Sequence, residues 1–307
     1  APIPIFFYAG IGPQTRPLPF KVPYKAYIGP SIGELYFQDD QQIEEVLKQY
    51  AGESISFHCE DPAILQSFKN GATHEARRPP QAEISSVQKA ISWSEKYHFQ
   101  AKLCHLSSHE SWALAKQAKE KNVAITTEVS PFHLYFSAEN IGTPSNWWQI
   151  NPPIRKPEDA EAALEALAKG EIDYLATDHA PHSAQEKDQG TSGMPGLDIY
   201  AGFVTWLWEE KMISPAILAK VCAENPGNFI SRYIPSLEAH STQYQGLGQG
   251  FGHIAKGFSA TFTVLNLHTP WTVTLADIKG KLKWSPFLGK TFPGKKAALF
   301  VRGQRFE

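Results

Sequence analysis

The chain has 307 residues, of which 42% are hydrophobic and 20% charged, and its formal net charge is -2 at pH 7. A chain of this length can bury a substantial core as one large domain or two modest ones. The nearly balanced charge argues against a nucleic-acid partner, and no apolar run approaches the roughly 20 residues of a membrane span. Three cysteines without a C-x-x-C pair indicate neither a disulfide framework nor a thiolate zinc site, so we expect a reducing, cytoplasmic location.

Apolar β-rich runs alternate with amphipathic helical stretches over the larger part of the chain. The predicted strands are Ile3–Tyr8, Val22–Ile28, Ser54–His58, Gln100–His105, Val123–Glu128 and Ile172–Asp178. The predicted helices are Asp39–Tyr50, Ala82–Tyr97, Glu110–Lys121 and Pro157–Lys169. This βαβα order predicts a parallel sheet, open or closed.

The pattern changes after Arg232. Ser259–Leu267 and Lys296–Phe306 resemble strands outside the alternation, which predicts a small C-terminal β appendage. The glycine-rich stretch Gly246–His253 has neither a strand immediately before it nor a helix after it, so it does not resemble a phosphate loop. The N-terminal stretch Ala1–Gly10 lacks the features of a signal peptide and is typical of a strand within a fold.

Ionisable residues lie at or near the ends of four predicted strands. His58, His105 and Asp178 each close a strand, and Lys25 lies inside an apolar run, where a lysine is costly unless it is neutralised or coordinated. In a (β/α) barrel the carboxyl ends of separate strands converge on one rim. Each residue alone also fits a structural role, such as a capped histidine or a lysine that reaches solvent, but together they favour a functional site.

The chemistry of these four side chains suits a metal centre. Two imidazoles and a carboxylate are suitable ligands for a divalent ion such as zinc. If the lysine amine were carbamylated by carbon dioxide, the product would be a carboxylate that can bridge two ions. Two ions about 3.5 to 4 Å apart can share a hydroxide as nucleophile and polarise a carbonyl.

Lys on the fourth barrel strand, His on the fifth, His on the sixth and Asp on the eighth is similar to the ligand order of the amidohydrolase superfamily, and the flanking sequences resemble dihydroorotase. The resemblance rests on KAYIGPSIGELYFQDD, FHCED, CHLSS, TTEVSPFHL, NPPIRKPEDAEAALEAL, LATDHAPHSAQEK, GMPGLD and the closing SPFLGKTFPGKKAALFVRGQRF. It implies an α/β fold, a (β/α)8 TIM-type barrel whose first strands are absent here. Residues 1–232 would hold barrel strands 3 to 8 as the catalytic domain, and residues 233–307 would form the C-terminal segment with the β-sandwich appendage.

The resemblance also implies roles in a site with one or two zinc ions. Lys25 would be the carbamylated bridge, and His58 and His105 would be ligands of the second metal. Asp178 would be both a ligand and the general base that moves a proton from the hydroxide to the departing amide nitrogen. His179 has two readings, as a residue that orients the aspartate or as a packed loop residue.

Substrate contacts follow from the same resemblance. Asn151 and His182 would hold the pyrimidine ring and its carboxylate. Backbone groups of Gly193, Pro195 and Gly196 would close over the ring.

One departure from the family concerns the first metal. The family has an H-x-H-x-R motif on the first barrel strand, which supplies two metal ligands and an arginine for the substrate carboxylate, and no H-x-H occurs in this sequence. The motif could lie upstream of Ala1, belong to a separate chain, or be lost in a degenerate homologue. We favour a fragment of a longer enzyme, because every downstream ligand is intact.

Four functions stay open at this stage. The leading hypothesis is a dihydroorotase, which interconverts dihydroorotate and N-carbamoyl-L-aspartate in pyrimidine biosynthesis. The alternatives are a cyclic amidohydrolase of the hydantoinase or allantoinase kind, an inactive dihydroorotase-like scaffold, and a metal-free α/β binding module. The expected partner is the small-molecule substrate, with no nucleic acid and no membrane. A homodimer and an association with aspartate transcarbamoylase are open alternatives.

Overall fold

Six parallel strands form the main sheet in the computed structural model, which describes residues 3–30, 35–37, 39–141 and 145–306. Each strand pairs with the next one along the chain, in the order β1 to β6. The strands are β1 Ala9–Ile11, β2 Tyr24–Tyr27, β3 Ser54–His58, β4 Gln100–Leu103, β5 Ile125–Val129 and β6 Tyr174–Leu175. The predicted parallel α/β architecture is therefore confirmed.

The prediction of the first strand was wrong. The observed strand covers Ala9–Ile11, and Ala9 pairs with Tyr24. The preceding residues lie outside any strand, and Ile5 and Phe7 are 48% and 71% exposed. Pro4 has no N–H group to donate to a ladder, so an apolar run alone did not make a strand here.

Helices connect successive strands from β2 onward and cover the sheet. Side chains cap several of them: Asp39 accepts from the Gln42 amide, and Ser108 accepts from the Ser111 amide. The helices are α1 Asp40–Leu47, α2 Pro62–Ser67, α3 His74–Arg77, α4 Pro80–Tyr97, α5 His109–Glu120, α6 Pro131–Tyr135, α7 Pro157–Ala168, α8 Ala184–Asp188, α9 Tyr200–Glu209, α10 Pro215–Ala219, α11 Asn225–Ser231 and α12 Ile234–Glu238. Those at Asp40, Pro80, His109 and Pro157 confirm the four predicted helices to within a few residues.

The two faces of the sheet differ in chemistry because strand side chains alternate. Lys25, Ser56 and Lys102 are register partners on neighbouring strands, so their side chains point to the same face. His58 lies two residues after Ser56 on β3, so it shares that face. Glu128 lies two residues after Thr126, the register partner of Lys102 on β5, and shares it too. The sequence thus places a row of polar and charged groups on one side of the sheet. The opposite side carries fully buried apolar residues such as Ile55, Phe57, Ala101 and Leu103.

The C-terminal part contains two small antiparallel sheets. One has the order β11, β10, β7 and the other pairs β8 with β9. These strands are β7 Phe262–Asn266, β8 Trp271–Thr272, β9 Thr291–Phe292, β10 Lys295–Val301 and β11 Gln304–Phe306. The predicted C-terminal β appendage is confirmed, whereas the domain boundary after residue 232 stays a prediction.

A wide apolar groove of about 1390 Å³ lies between the N-terminal residues, helices α9 and α10, and strand β7. Phe6, Trp208 and Phe262 are among its lining residues. In the described part of the chain, β1 and β6 are the two ends of the six-stranded sheet and do not pair with each other. The helices within the described ranges include none that is both long and apolar enough to cross a membrane.

Candidate active site

The four predicted metal ligands come together at the carboxyl end of the parallel sheet. Lys25 lies on β2, His58 is the last residue of β3, and His105 and Asp178 follow β4 and β6. The charge of Lys25 contributes to the pKa of each of the other three groups. Because such contributions fall off with distance, the four side chains form one electrostatic cluster.

The imidazoles of His58 and His105 face each other. The Nδ1 atom of His58 lies 3.2 Å from the Nε2 atom of His105. Burial lowers the pKa of both rings below the ordinary value, so both are neutral at pH 7 and can act as ligands. Two nitrogen ligands of a tetrahedral zinc ion lie about 3.3 Å apart when each Zn–N distance is about 2.0 to 2.1 Å. The pair therefore fits a zinc site.

Lys25 is half-buried, and its Nζ atom donates to the Sγ atom of Cys104 at 3.0 Å. Burial disfavours the ammonium form, but Cys104 and the Glu128 carboxylate favour it and raise the pKa of Lys25 above its ordinary value. Carbamylation requires the neutral amine. In the metal-free protein, this lysine must therefore lose its proton before it can bind carbon dioxide.

Asp178 lies in an environment that favours the protonated acid. Desolvation, together with the negative charge of Glu128, raises the pKa of Asp178 to about 6, although Lys25 acts in the opposite direction. A carboxyl group with a pKa near the working pH can both accept and release a proton. The group thus has the acid–base properties expected of a proton shuttle.

Two of the four residues have unusual backbone conformations. His105 has φ of 36° and Asp178 has φ of 45°, both in the left-handed region that residues with a Cβ atom rarely adopt. Strained backbone of this kind concentrates at functional sites, where the surrounding structure holds it in place.

The predicted substrate residues lie in the loops that follow. Asn151 Oδ1 and His182 Nε2 are buried and have no hydrogen-bond partner among the described residues. Buried polar atoms are normally satisfied, so each of these two is available to a ligand. His182 also lies beside Gly193, since a Cβ atom added to that glycine would be 3.0 Å from its Cδ2 atom.

The glycine loop has little room for side chains. Gly193 has φ of 134°, and an added Cβ atom would lie 2.5 Å from the carbonyl oxygen of Ala180. Pro195 is buried, and the amide of Gly196 donates to Nδ1 of His179 at 3.0 Å. His179 thus anchors this loop, which agrees with its reading as a packed loop residue.

Curated proteins of known activity are similar to this chain. The chain is 30% identical over 289 residues to a dihydroorotase of Archaeoglobus fulgidus, a match that covers 91% of the chain and 63% of the relative. It is 31% identical over 271 residues to a dihydroorotase of Listeria welshimeri, covering 81% of the chain and 57% of the relative. The chain is homologous to the dihydroorotases. It spans about three fifths of the length of these curated relatives, and no family model matches it.

Solved structures show the same fold. The L-hydantoinase of Arthrobacter aurescens superposes with a TM-score of 0.76 at 22% identity, over 92% of this chain and 64% of that one. A D-hydantoinase from Thermus sp. gives a TM-score of 0.74 at 19% identity, over 92% and 63%. This likeness confirms the predicted TIM-type barrel fold.

Two buried ion pairs beside the candidate site were not predicted. Glu60 accepts from His58 and Arg78, and although burial opposes ionisation, these partners lower the pKa of Glu60 to about 2. Lys102 donates to Glu128 at 2.9 Å. A signal for the second pair was present, since both are charged residues within apolar strands, the same feature that singled out Lys25.

Lys187 is a further buried residue that the sequence did not reveal. Its Nζ atom donates to the carbonyl oxygens of Gln149, Thr191 and Gly193, at 3.1, 2.8 and 3.0 Å. Burial lowers the pKa of Lys187 to about 8. The ammonium ties the segment before Asn151 to the glycine loop.

A separate group of metal-type ligands lies at the start of two helices. The ligand atoms of His109, Glu110 and Asp159 are within 4.8 Å of one another, and His109 and Glu110 are exposed. Asp159 Oδ1 accepts from the His109 amide at 2.8 Å and lies 3.0 Å from its Nδ1. These contacts join α5 to α7, and the group contains none of the predicted ligands.

Proposed function

We propose that this chain forms the greater part of a dihydroorotase that interconverts dihydroorotate and N-carbamoyl-L-aspartate in pyrimidine biosynthesis. The observation that carries the proposal is the cluster of Lys25, His58, His105 and Asp178 at one end of the parallel sheet, in a chain homologous to dihydroorotases. The chain covers only part of its relatives, so the activity belongs to the whole protein.

The donor set supports a metal-dependent mechanism. His58 and His105 would hold a zinc ion, Asp178 would be a further ligand, and a carbamylated Lys25 would bridge to a second ion. Bound there, zinc would lower the pKa of a water molecule and polarise the amide carbonyl. Carbamylation of the ammonium form would release two protons, one to give the neutral amine and one when carbon dioxide adds, so it would replace a cation with an anion beside Glu128.

Asp178 would move the proton that the reaction requires. In the hydrolytic direction, a water oxygen bonds to the ring amide carbon, and the bond from that carbon to the ring nitrogen breaks. Asp178 would take the proton from the attacking oxygen and deliver it to the departing nitrogen. Ring closure would use the same group in reverse.

Asn151 and His182 would bind the substrate through the buried atoms Oδ1 and Nε2, which have no partner within the described structure. The amide oxygen of Asn151 can accept a hydrogen bond from a ring N–H. A histidine with Nε2–H can donate one to a carboxylate. The backbone around Gly193, Pro195 and Gly196 would lie over the ring, held by Lys187.

Two ligands of the first metal, in addition to Lys25 and Asp178, would come from outside these 307 residues. The sequence contains no H-x-H motif, whereas the relatives extend well beyond the matched region. The same additional segment would supply the strands that close the barrel between β1 and β6. Homodimer formation, association with aspartate transcarbamoylase and the cytoplasmic location stay predictions.

A cyclic amidohydrolase of the hydantoinase kind is the second candidate, favoured by the structural neighbours. A substrate panel on the full-length protein separates the two: dihydroorotate, which carries a carboxylate, against hydantoin, dihydrouracil and allantoin, which do not. We expect kcat/KM to be highest for dihydroorotate. Faster hydrolysis of the neutral rings would reassign the chain to the second candidate, and no hydrolysis of any ring would favour the inactive scaffold.

A further inference from the structure

A buried carboxylate contacts the outer nitrogen of one of the proposed ligands. Glu60 is fully buried, and its Oε2 atom lies 3.0 Å from Nε2 of His58. The other ring nitrogen of His58, Nδ1, faces His105. The imidazole is therefore held between a carboxylate on one side and the proposed metal position on the other.

The chemistry of the carboxylate determines which nitrogen of the ring carries the proton. An ionised glutamate only accepts hydrogen bonds, so Nε2 of His58 must be the donor. A neutral imidazole has one N–H group, and Nδ1 is left with a free lone pair. That lone pair is the form that a metal ion requires, and it points toward Nε2 of His105.

Arg78 fixes the carboxylate in this orientation. Its Nη2 atom donates to Oε2 of Glu60 at 2.6 Å, and its Nε atom lies 3.0 and 3.2 Å from the two oxygens. Nη2 also donates to the carbonyl of Pro30, and the carbonyl of Arg78 accepts from Arg155. A guanidinium with several anchors restricts the carboxylate more than a single point charge would.

We propose that Glu60 is a positioning residue that, clamped by Arg78, selects the Nε2–H tautomer of His58 and so presents Nδ1 to the metal. Only the predicted effect of Glu60 on zinc binding rests on the proposed metal site. The selection of the tautomer is a property of the metal-free chain and is tested separately.

The first test is nitrogen NMR on the metal-free chain with 15N-labelled histidine, since the two ring nitrogens give distinct shifts in each tautomer. We expect His58 as the Nε2–H form. His133 is an internal reference, because its Nε2 lies 3.0 Å from the carbonyl of Pro152, which can only accept. A predominant Nδ1–H form of His58 in the unaltered protein would overturn the inference, whatever the variants do.

The second test uses two substitutions and a matched control. Glu60→Gln keeps an acceptor oxygen, whereas Glu60→Leu has a similar size and no acceptor; Glu45→Leu changes an exposed glutamate on α1. We expect the Leu variant to bind zinc 10- to 100-fold more weakly in competition with a chelator, the usual effect of losing such a partner. The Gln variant should stay within a few fold, and the control should be unchanged.

The outcomes separate the inference from the proposed function. Unchanged zinc affinity and an unchanged His58 tautomer in a folded Glu60→Leu variant would overturn the inference. If the unaltered chain bound no zinc, the proposed metal site would fail, and the tautomer of His58 would still decide the role of Glu60.

Discussion

The buried imidazole of His133 should make the protein sensitive to mild acid. Its Nε2 donates to Pro152, and burial lowers the pKa of His133 to about 4. The unfolded chain has a histidine pKa of about 6.5, so it takes up the proton first as the pH falls. The contribution of His133 is fully present above pH 6.5 and is lost as the pH falls toward 4. For these two values, the loss at pH 5 is about 2 kcal/mol.

The assay is urea unfolding of the protein and of His133→Gln at several pH values between 8 and 5, followed by tryptophan fluorescence and circular dichroism. The substitution itself can lower the free energy of unfolding at pH 8, where the histidine is neutral in both states. Between pH 8 and pH 5, however, the variant should lose about 2 kcal/mol less than the original protein. An equal loss in both proteins would refute the assigned cause, because the proton uptake would then lie elsewhere.

Three further predictions concern named side chains. In the full-length protein, Asp178→Asn should lower kcat at least about a hundredfold, the low end for a general base, and near-normal turnover would remove Asp178 from that role. His182→Ala should mainly raise KM for dihydroorotate and leave a neutral cyclic amide largely unaffected, because the proposed contact is to the carboxylate; equal losses on both substrates would contradict it. Lys187→Met should lower the free energy of unfolding by about 3 kcal/mol, since three carbonyls lose a charged donor. The control Lys211→Met, at an exposed lysine over the Trp206 ring, should cost less than about 1 kcal/mol, and similar effects of the two would show that the buried contacts matter little.

The central part of the fold could be predicted because its signals are local. Strands β2 to β6 are short segments with buried apolar residues, and the helices between them have an amphipathic period and clear caps. Strand β1 could not be placed, because its position depends on pairing with β2 and not on the apolar run that precedes it. The residue pattern within one segment does not determine which backbone it pairs with in a sheet.

Two of the helices after β6, α9 and α11, were missed for different physical reasons. Helix α9 is apolar on almost all sides, so it lacks the amphipathic period that identifies a helix. The sequence Asn225-Pro226-Gly227 is typical of a turn, yet it begins α11. A π-helical segment, Lys220–Glu224, precedes it, and Pro226 lies in the first turn of α11, where no backbone N–H is needed.

The part of the site that lies at strand ends could be predicted from the sequence. Lys25, His58, His105 and Asp178 each lie at or near a strand end, and the parallel sheet brings them together. The Glu60–Arg78 pair was not visible in the sequence, because the arginine lies on a different segment and only folding brings it to the carboxylate. Contacts between distant loops have no local pattern from which to read them.

Zinc content of the 307-residue chain tests the central claim most directly. After dialysis against zinc-free buffer, elemental analysis should find one tightly held ion per chain, because Lys25, His58 and His105 provide the ligands of one site, whereas the other site keeps only the Lys25 bridge and Asp178. His105→Phe should abolish that binding, whereas His253→Phe, at a half-buried loop histidine that is not a proposed ligand, should retain it. The assigned ligands would be contradicted if both variants retained zinc, or if the original chain held two ions tightly.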